Sequence, residues 1–228
     1  MKWYEDGVGD LDFRFDIIIE YLPFLLKGLV VTIGLSVGGI LIGSVLGFFI
    51  ALGKMSKVKL LRIPFIWYIN FFRGTPLLVQ LFLIHFGLMP LFMSPVSTIV
   101  SALVALSLNS AAYVAEIFRA GIQSIEKGQD EAARSLGMSS RMSMAHIIFP
   151  QAFKRMIPPL GNEFIVLIKD SSLAAIIAAP ELMYWGRAAS GQYFRIWEPY
   201  LTVAFTYLLI TLTLTYVLNN IERRLSNA

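Results

Sequence analysis

Long apolar stretches separated by short polar segments run through most of the chain. Residues 28–52 carry no charge and lie between Lys27 and Lys54. Because about 20 residues of helix cross the hydrocarbon core of a bilayer, this stretch predicts a first transmembrane helix. The pattern recurs along the chain, and the five predicted spans cover about residues 28–53, 75–89, 96–118, 157–179 and 200–218.

Prolines, aromatic residues and acidic residues mark the segments between these spans. Residues 74–115 carry no formal charge but are too long for one crossing, and Pro90 and Pro95 divide them because proline cannot donate to a helix. Residues 62–73 are too short to cross and rich in aromatic side chains, which suits a helix at the headgroup level. The acid-rich residues 1–27 predict an external tail or a surface helix.

Composition excludes an ordinary soluble domain. Mean hydropathy is +0.69 and 15% of the residues are charged, against about 25% in soluble domains. The chain has no cysteine, so it offers neither a disulfide framework nor a cysteine-ligated metal. The two histidines, His85 and His146, lie far apart without metal-ligand spacing, and no metal site is predicted.

The basic residues predict an orientation in the membrane. Thirteen of the 19 lysines and arginines lie between the first two spans, in residues 119–155 and at the C-terminal end. Cytoplasmic segments carry an excess of Lys and Arg, so these segments are predicted to be cytoplasmic and the N-terminus external. The chain is therefore predicted to be an all-α membrane protein with five transmembrane helices. Its pI near 9.3 is explained by the basic residues of these predicted cytoplasmic segments, so no nucleic-acid partner is expected.

Glycines on the first span predict close helix packing. Gly39, Gly43 and Gly47 recur every four residues and share one face of a helix. Such spacing lets a second helix approach closely. Glycine is also frequent in membrane helices generally, so the pattern alone leaves both interpretations open.

The polar segment 119–155 carries the most specific pattern in the chain. Glu131 begins a run of helix-forming residues, and Gly137 permits a left-handed turn at the end of that helix. A second helix over 141–149 is predicted to end before Pro150. The spacing E-A-A-x3-G-x9-I-x-x-P is defined by Glu131, Ala132, Ala133, Gly137, Ile147 and Pro150.

This spacing resembles the cytoplasmic loop motif E-A-A-x3-G-x9-I-x-L-P of permease subunits of ATP-binding-cassette importers. The one departure is Phe149, an apolar residue where the motif has leucine. Three further stretches are similar to the polar amino acid uptake branch of that family. They are RGTPLLVQ over 73–80, LNSAAYVAEIFRAGI over 108–122 and GNEFIVLIKDSSL over 161–173. The resemblance covers about residues 20–225.

The resemblance implies the fold of a type I importer permease, with one transmembrane domain over 28–225 and a cytoplasmic coupling loop over 119–155. It also implies a bacterial cytoplasmic (inner) membrane location, a second permease subunit that forms a homodimer with this one, and an extracytoplasmic amino-acid-binding protein. The six motif residues would contact the ATPase subunit. Since the sequence has no G-x-x-x-x-G-K-[ST] phosphate loop, ATP and magnesium are expected on that partner, and no cofactor on this chain.

Polar residues inside the predicted spans are candidates for the translocation pathway. An ionised side chain at mid-bilayer costs about 2.5–3.5 kcal/mol, so such residues usually face the interior of the helix bundle. The predicted substrate contacts are Asn109, Glu163, Asn162 and Thr75. Glu163 would attract an ammonium group and Asn109 would hydrogen-bond the amino acid head. The predicted structural or gate residues are Arg73, Lys169 and Asp170.

Several of these residues also have a structural interpretation. Lys169 and Asp170 would then form a pair that links the fourth span to its neighbours, and Arg73 would anchor a helix start at the headgroups. Glu116 and Arg119 are spaced for an i, i+3 ion pair.

The predicted function is the membrane-spanning subunit of an amino acid importer that works by alternating access. Glu163 favours cationic amino acids, although a carboxylate also suits the α-ammonium group of any amino acid, which leaves glutamine and cystine open. The alternative is an ion-coupled secondary transporter in which Glu163, Lys169 and Asp170 relay protons or sodium. A membrane enzyme has little support, because no catalytic grouping is present.

Overall fold

The computed structural model describes residues 13–226, with side chains to residue 224, and this part of the chain contains helices and connecting turns without a strand. The predicted all-α class is confirmed. In chain order the helices are α1 (Phe15–Lys54), α2 (Lys59–Gly74), α3 (Leu77–Phe82), α4 (Thr98–Gln123), α5 (Lys127–Ser135), α6 (Ser140–Ser143), α7 (Phe149–Asp170), α8 (Leu182–Tyr193) and α9 (Trp197–Ser226).

Wider or tighter turns extend two of these helices. A π-helical turn (Leu83–Leu88) and a 3-10 turn (Met89–Leu91) continue α3. A second π-helical turn (Met144–Ile148) joins α6 to α7, and a 3-10 turn (Ser171–Ile177) follows α7. The predicted fourth span is therefore helical along most of its length, first as α7 and then as the narrower 3-10 turn.

Helix α1 runs without a break across the boundary predicted at residue 27. Its 40 residues measure about 60 Å, twice the hydrocarbon core of a bilayer. Residues 15–27 thus belong to the same helix as the first predicted span. The cause is packing, because Tyr21 and Leu25 are buried against Leu182 and Val203 of α8 and α9. The remainder of the predicted external segment, residues 1–12, lies outside the described residues.

The glycine face of α1 packs against α4. A Cβ atom at Gly47 would lie 2.8 Å from Cβ of Val114, closer than real side chains approach. A Cβ atom at Gly43 would lie 3.0 Å from Cβ of Ser110. At Gly39 the same atom would make only ordinary contacts. The predicted close approach is therefore confirmed, and it depends most strongly on Gly47.

Three of the described helices are long and apolar enough to cross a membrane, namely α1, α4 and α9. Helix α2 and the segment Leu77–Leu91 qualify together as a broken span, with a bend of 109° between them. Helix α7 does not qualify, because Glu163, Lys169 and other charged residues interrupt it. The count of five spans and the external N-terminus stay predictions.

Helix α8 lies between the fourth and fifth predicted spans, in a segment that carries no helix prediction. It covers Leu182–Tyr193. Glu181 caps this helix, since its side chain accepts a hydrogen bond from the Tyr184 N–H at 2.7 Å. Gly186 and Ala189 are buried in the same helix, so packing against the bundle stabilises it.

Candidate functional site

A cavity of about 460 Å³ lies between α2, α4 and α7. Helix α4 supplies most of its wall, with side chains from Tyr113 to Gly121 at helical spacing, and Ser124 follows directly after α4. Glu163 enters from α7 and Arg73 from the last turn of α2. The lining consists of Arg73, Tyr113, Glu116, Ile117, Ala120, Gly121, Ser124, Arg155, Pro159 and Glu163.

Two predicted site residues, Glu163 and Arg73, thus lie on the same cavity. Glu163 is buried in α7, and Arg73 lines the same cavity from the end of α2. The Arg73 guanidinium lies over the ring of Tyr113, 5.2 Å from the ring centroid. The cavity therefore offers a carboxylate and a guanidinium to one ligand, which is the charge pattern complementary to an amino acid's ammonium and carboxylate groups.

Three basic side chains lie within 4 Å of the Glu116 carboxylate at one edge of this cavity. This carboxylate accepts hydrogen bonds from Lys54 and from Arg119, the latter at 2.9 Å. Arg73 lies 3.9 Å away. The predicted i, i+3 pair of Glu116 and Arg119 is confirmed, and the additional cations make it a junction of α1, α2 and α4.

Asn109 and Thr75 do not line this cavity. Asn109 is buried in α4, where Nδ2 donates to Oε1 of Gln80 at 2.9 Å and to the Phe72 carbonyl at 3.3 Å. Gln80 Nε2 donates to the Phe72 carbonyl at 2.8 Å and to Oγ1 of Thr75 at 2.9 Å. These bonds satisfy polar groups at the break between α2 and α3, where helical partners are missing.

Sequence reasoning missed Gln80, which has 1% of its surface exposed. The available signal was an amide side chain in a charge-free apolar stretch that begins just after Arg73-Gly74-Thr75-Pro76. An amide in such a position requires hydrogen-bond partners when buried. The residue therefore belongs to the same polar group as Asn109 and Thr75.

Asn162, Lys169 and Asp170 also lie away from the cavity. Asn162 and Lys169 are exposed, and Asp170 is half-buried. Among the described side chains, Lys169 and Asp170 form no ion pair within 4 Å. Adjacent residues on a helix point in different directions, which explains why the predicted pair is absent.

The polar loop folds into two helices that meet at a glycine, as predicted. Helix α5 ends at Ser135, and Gly137 follows in the left-handed region with φ of 83°. The Gly137 N–H donates to the Arg134 carbonyl at 3.0 Å, and the Met138 N–H donates to the Ala133 carbonyl at 3.2 Å. This is the Schellman pattern of helix termination.

The predicted end of the second helix before Pro150 is wrong. The path from α6 into α7 continues through Pro150, which occupies the first turn of α7. A proline inside a regular helix removes a hydrogen bond and collides with the carbonyl four residues earlier. The π-helical turn Met144–Ile148 widens the backbone at that point, so the proline is accommodated.

The motif residues of this loop are unequally exposed. Glu131, Ala132, Gly137 and Pro150 are exposed, whereas Ala133 is buried and Ile147 is half-buried. Leu136, beside the glycine, has 84% of its surface exposed. A second cavity of about 460 Å³ lies nearby, lined in part by Ile125, Met144 and Ile148.

A family model described as the binding-protein-dependent transport system inner membrane component matches residues 43–227. The chain belongs to this family. The permease is 42% identical over 212 residues to the probable amino-acid ABC transporter permease protein YckA of Bacillus subtilis (strain 168), with 93% of each chain covered. It is 43% identical over 207 residues to the L-cystine transport system permease protein TcyB of the same strain, covering 90% of this chain and 88% of that one.

A solved structure of an amino acid ABC transporter with histidines is also similar. Its chain superposes on this permease with a TM-score of 0.88 at 43% identity, covering 94% of this chain and all of that one. The resemblance seen in the loop motif is thereby confirmed. The permease is a transport subunit rather than an enzyme.

Proposed function

We propose that this permease forms the translocation pathway of an ATP-driven importer of polar amino acids in the bacterial inner membrane. The observation that carries the proposal is the buried carboxylate of Glu163 on the wall of a 460 Å³ cavity that Arg73 also lines. Relatives named for amino acid transport support the substrate class. A bound amino acid would direct its carboxylate to Arg73 and a positive group to Glu163.

We infer the substrate from the side chains of this cavity, because overall similarity does not distinguish one amino acid from another. A relative named for L-cystine and a solved transporter with histidines are both 43% identical to this chain. Glu116, the other acid on the lining, is already engaged by Lys54 and Arg119. Glu163 is therefore the carboxylate left for a substrate, and we infer a preference for cationic amino acids.

The polar loop is proposed to couple this pathway to a separate ATPase. Its most exposed apolar side chain, Leu136, follows α5 directly at the glycine turn. We infer that Glu131, Ala132, Ala133, Gly137, Ile147 and Pro150 form or support that contact. Closure of the ATPase would then favour one of two orientations of the bundle through differential contacts.

Two further partners complete the proposed assembly. A second copy of the permease would supply the other half of the pathway, and a binding protein outside the membrane would deliver the amino acid. ATP and magnesium would be held by the ATPase. The lipid-facing surface of the assembly would include α9, along which Phe205 and Leu209 are exposed.

The substrate proposal is tested with Glu163→Gln in the reconstituted complex, comparing uptake of arginine and glutamine. Loss of one hydrogen bond to a charged group is worth about 1.5–3 kcal/mol, so arginine uptake should fall about 10- to 100-fold. Glutamine uptake should fall much less. Glu222→Gln, which changes an exposed acid on α9, serves as the matched control and should leave both unchanged. Equal losses for the two substrates would refute a role of Glu163 in recognising the cationic side chain.

A further inference from the structure

A separate cavity of about 330 Å³ lies where the C-terminal end of α1 meets α2 and the end of α4. It shares no lining residue with the cavity that contains Glu163. Its lining consists of Lys54, Met55, Arg62, Ile66, Arg119 and Gln123. Three of these six side chains are cations, and none is an acid.

The charge around this cavity is only partly neutralised. The Glu116 carboxylate contacts both Lys54 and Arg119, and its single negative charge is also shared with Arg73. The Arg62 side chain is exposed and forms no hydrogen bond or ion pair with the residues that the structure describes. The cavity thus keeps an excess of positive charge, with one guanidinium free to bind.

Sequence position places these cations at the depth of lipid headgroups. Lys54 directly follows the apolar stretch of the first span, and Arg119 ends the charge-poor part of α4. Arg62 begins the aromatic part of α2, where Trp67 has 72% of its surface exposed. Tryptophan and basic residues at the ends of apolar stretches are typical of the membrane interface.

Exposed apolar side chains lie on the helices beside the cavity. On α1, Val45, Phe49 and Leu52 are exposed at helical spacing toward the end that carries Lys54. On α2, Leu61 and its neighbours are exposed as well. A ligand that combines an anionic head with long apolar chains would match both features.

We infer that this cavity binds the phosphate headgroup of an anionic phospholipid from the cytoplasmic leaflet. Arg62 donates to the phosphate oxygens, and the charges of Lys54 and Arg119 complete the site. Basic pockets between transmembrane helices on this side of a membrane suit such headgroups. The bound lipid would hold together the ends of α1, α2 and α4, the same three helices that Glu116 joins beside the transport cavity.

The test uses the delipidated complex of the permease with its ATPase, titrated with dioleoylphosphatidylglycerol and followed by mass spectrometry of the intact complex. Arg62→Gln should weaken binding about fivefold, the effect of one basic residue at a membrane surface. Lys57→Gln removes an equal charge from an exposed position in the turn between α1 and α2, which does not line the cavity. This control should change the affinity less than twofold.

Three results would overturn the inference. Equal weakening by Arg62→Gln and Lys57→Gln would indicate general attraction to a basic surface. Binding of inorganic phosphate with the affinity of the lipid would indicate a site for a soluble anion. If Arg62→Gln instead lowers only the amount of ATPase that copurifies, the cavity serves a protein contact. Selective loss of phosphatidylglycerol, with phosphatidylcholine binding unaffected, would support the site.

Discussion

Asn109 of α4 donates a 2.9 Å hydrogen bond to Gln80 of α3, and both side chains are buried. Through this bond α4 holds the break at Thr75, because Gln80 also donates to Thr75 and to the Phe72 carbonyl. Arg73 lies in the last turn of α2, just before this break, and lines the cavity that contains Glu163. The position of the Arg73 guanidinium therefore depends on the Asn109 and Gln80 amides, which lie outside the cavity.

Replacing Gln80 with alanine should destabilise the permease. The change removes one acceptor of the Asn109 amide and the Gln80 donor to the Thr75 carbonyl, and each buried group left unsatisfied costs about 1–3 kcal/mol. The melting temperature of the detergent-solubilised protein measures the effect. Gln129→Ala, at an exposed position of α5, should leave it almost unchanged. Equal melting temperatures for the two variants would show that the amide pair does not hold the break.

Replacing Gly137 with alanine should weaken both the loop and its contact with the ATPase. A left-handed conformation costs an L-residue about 1–2 kcal/mol, and a Cβ atom here would meet no atom within 4 Å, so the effect comes from the backbone alone. The ratio of ATPase to permease after copurification measures it. Gly128→Ala has the same open surroundings but lies in a helix, where alanine is favoured.

The contrast between these two glycines decides the interpretation. If Gly128→Ala keeps full ATPase binding and Gly137→Ala reduces it, the left-handed turn is required for the contact. If both variants bind the ATPase as the unchanged protein does, the turn does not shape the contact surface.

Replacing Gly47 with alanine should separate α1 from α4. The new Cβ atom would lie 2.8 Å from Val114 and 2.9 Å from the Ala111 carbonyl, and overpacking of this kind typically costs about 1–3 kcal/mol. A lower melting temperature is expected. Gly34→Ala on the same helix meets no atom within 4 Å and should not lower it. A melting temperature unchanged by Gly47→Ala would mean that the two helices separate without cost.

The sequence predicted the helical architecture well where a physical signal was local. The charge-free stretch of residues 28–52 located the first span, and the glycine at residue 137 located the left-handed turn. The continuity of residues 15–27 with that span could not be predicted, because it depends on packing against α8 and α9. The wrong prediction that a helix ends before Pro150 could not be avoided either, because the π-helical turn that accommodates this proline has no clear sequence signature.

The candidate site was only partly predictable. Polarity within the spans selected Glu163 and Arg73, which line the cavity, and Asn109, which does not. Polarity alone cannot distinguish a side chain that faces a cavity from one that is hydrogen-bonded to a neighbouring side chain. For Asn109, that neighbour is Gln80, 29 residues away along the chain.

The buried Glu181 should make stability depend on pH. Its carboxyl accepts hydrogen bonds from the Tyr207 hydroxyl at 2.7 Å and from the Tyr184 N–H at 2.7 Å. Burial nevertheless raises the pKa of Glu181 above its ordinary value of 4.5. A carboxyl whose pKa is raised by folding stabilises the fold at low pH, and this contribution is lost as pH rises through the folded-state pKa.

We therefore expect the melting temperature to fall as pH rises above 4.5, and Glu181→Gln to reduce that fall. The neutral amide keeps an acceptor for Tyr184 and donors for its neighbours. Glu181→Ala, which removes the cap of α8, should lower the melting temperature at every pH. The same pH dependence in Glu181→Gln and the unchanged protein would contradict this role.

The proposed ATP-driven transport is tested most directly by uptake of labelled arginine into liposomes. The permease, its cognate ATPase and the binding protein are reconstituted, and ATP is supplied on the side of the ATPase. Uptake should require both the ATPase and ATP, and the permease alone with a proton gradient should give only background. Arginine uptake by the permease alone, driven by that gradient at a rate comparable to the full system with ATP, would contradict the account.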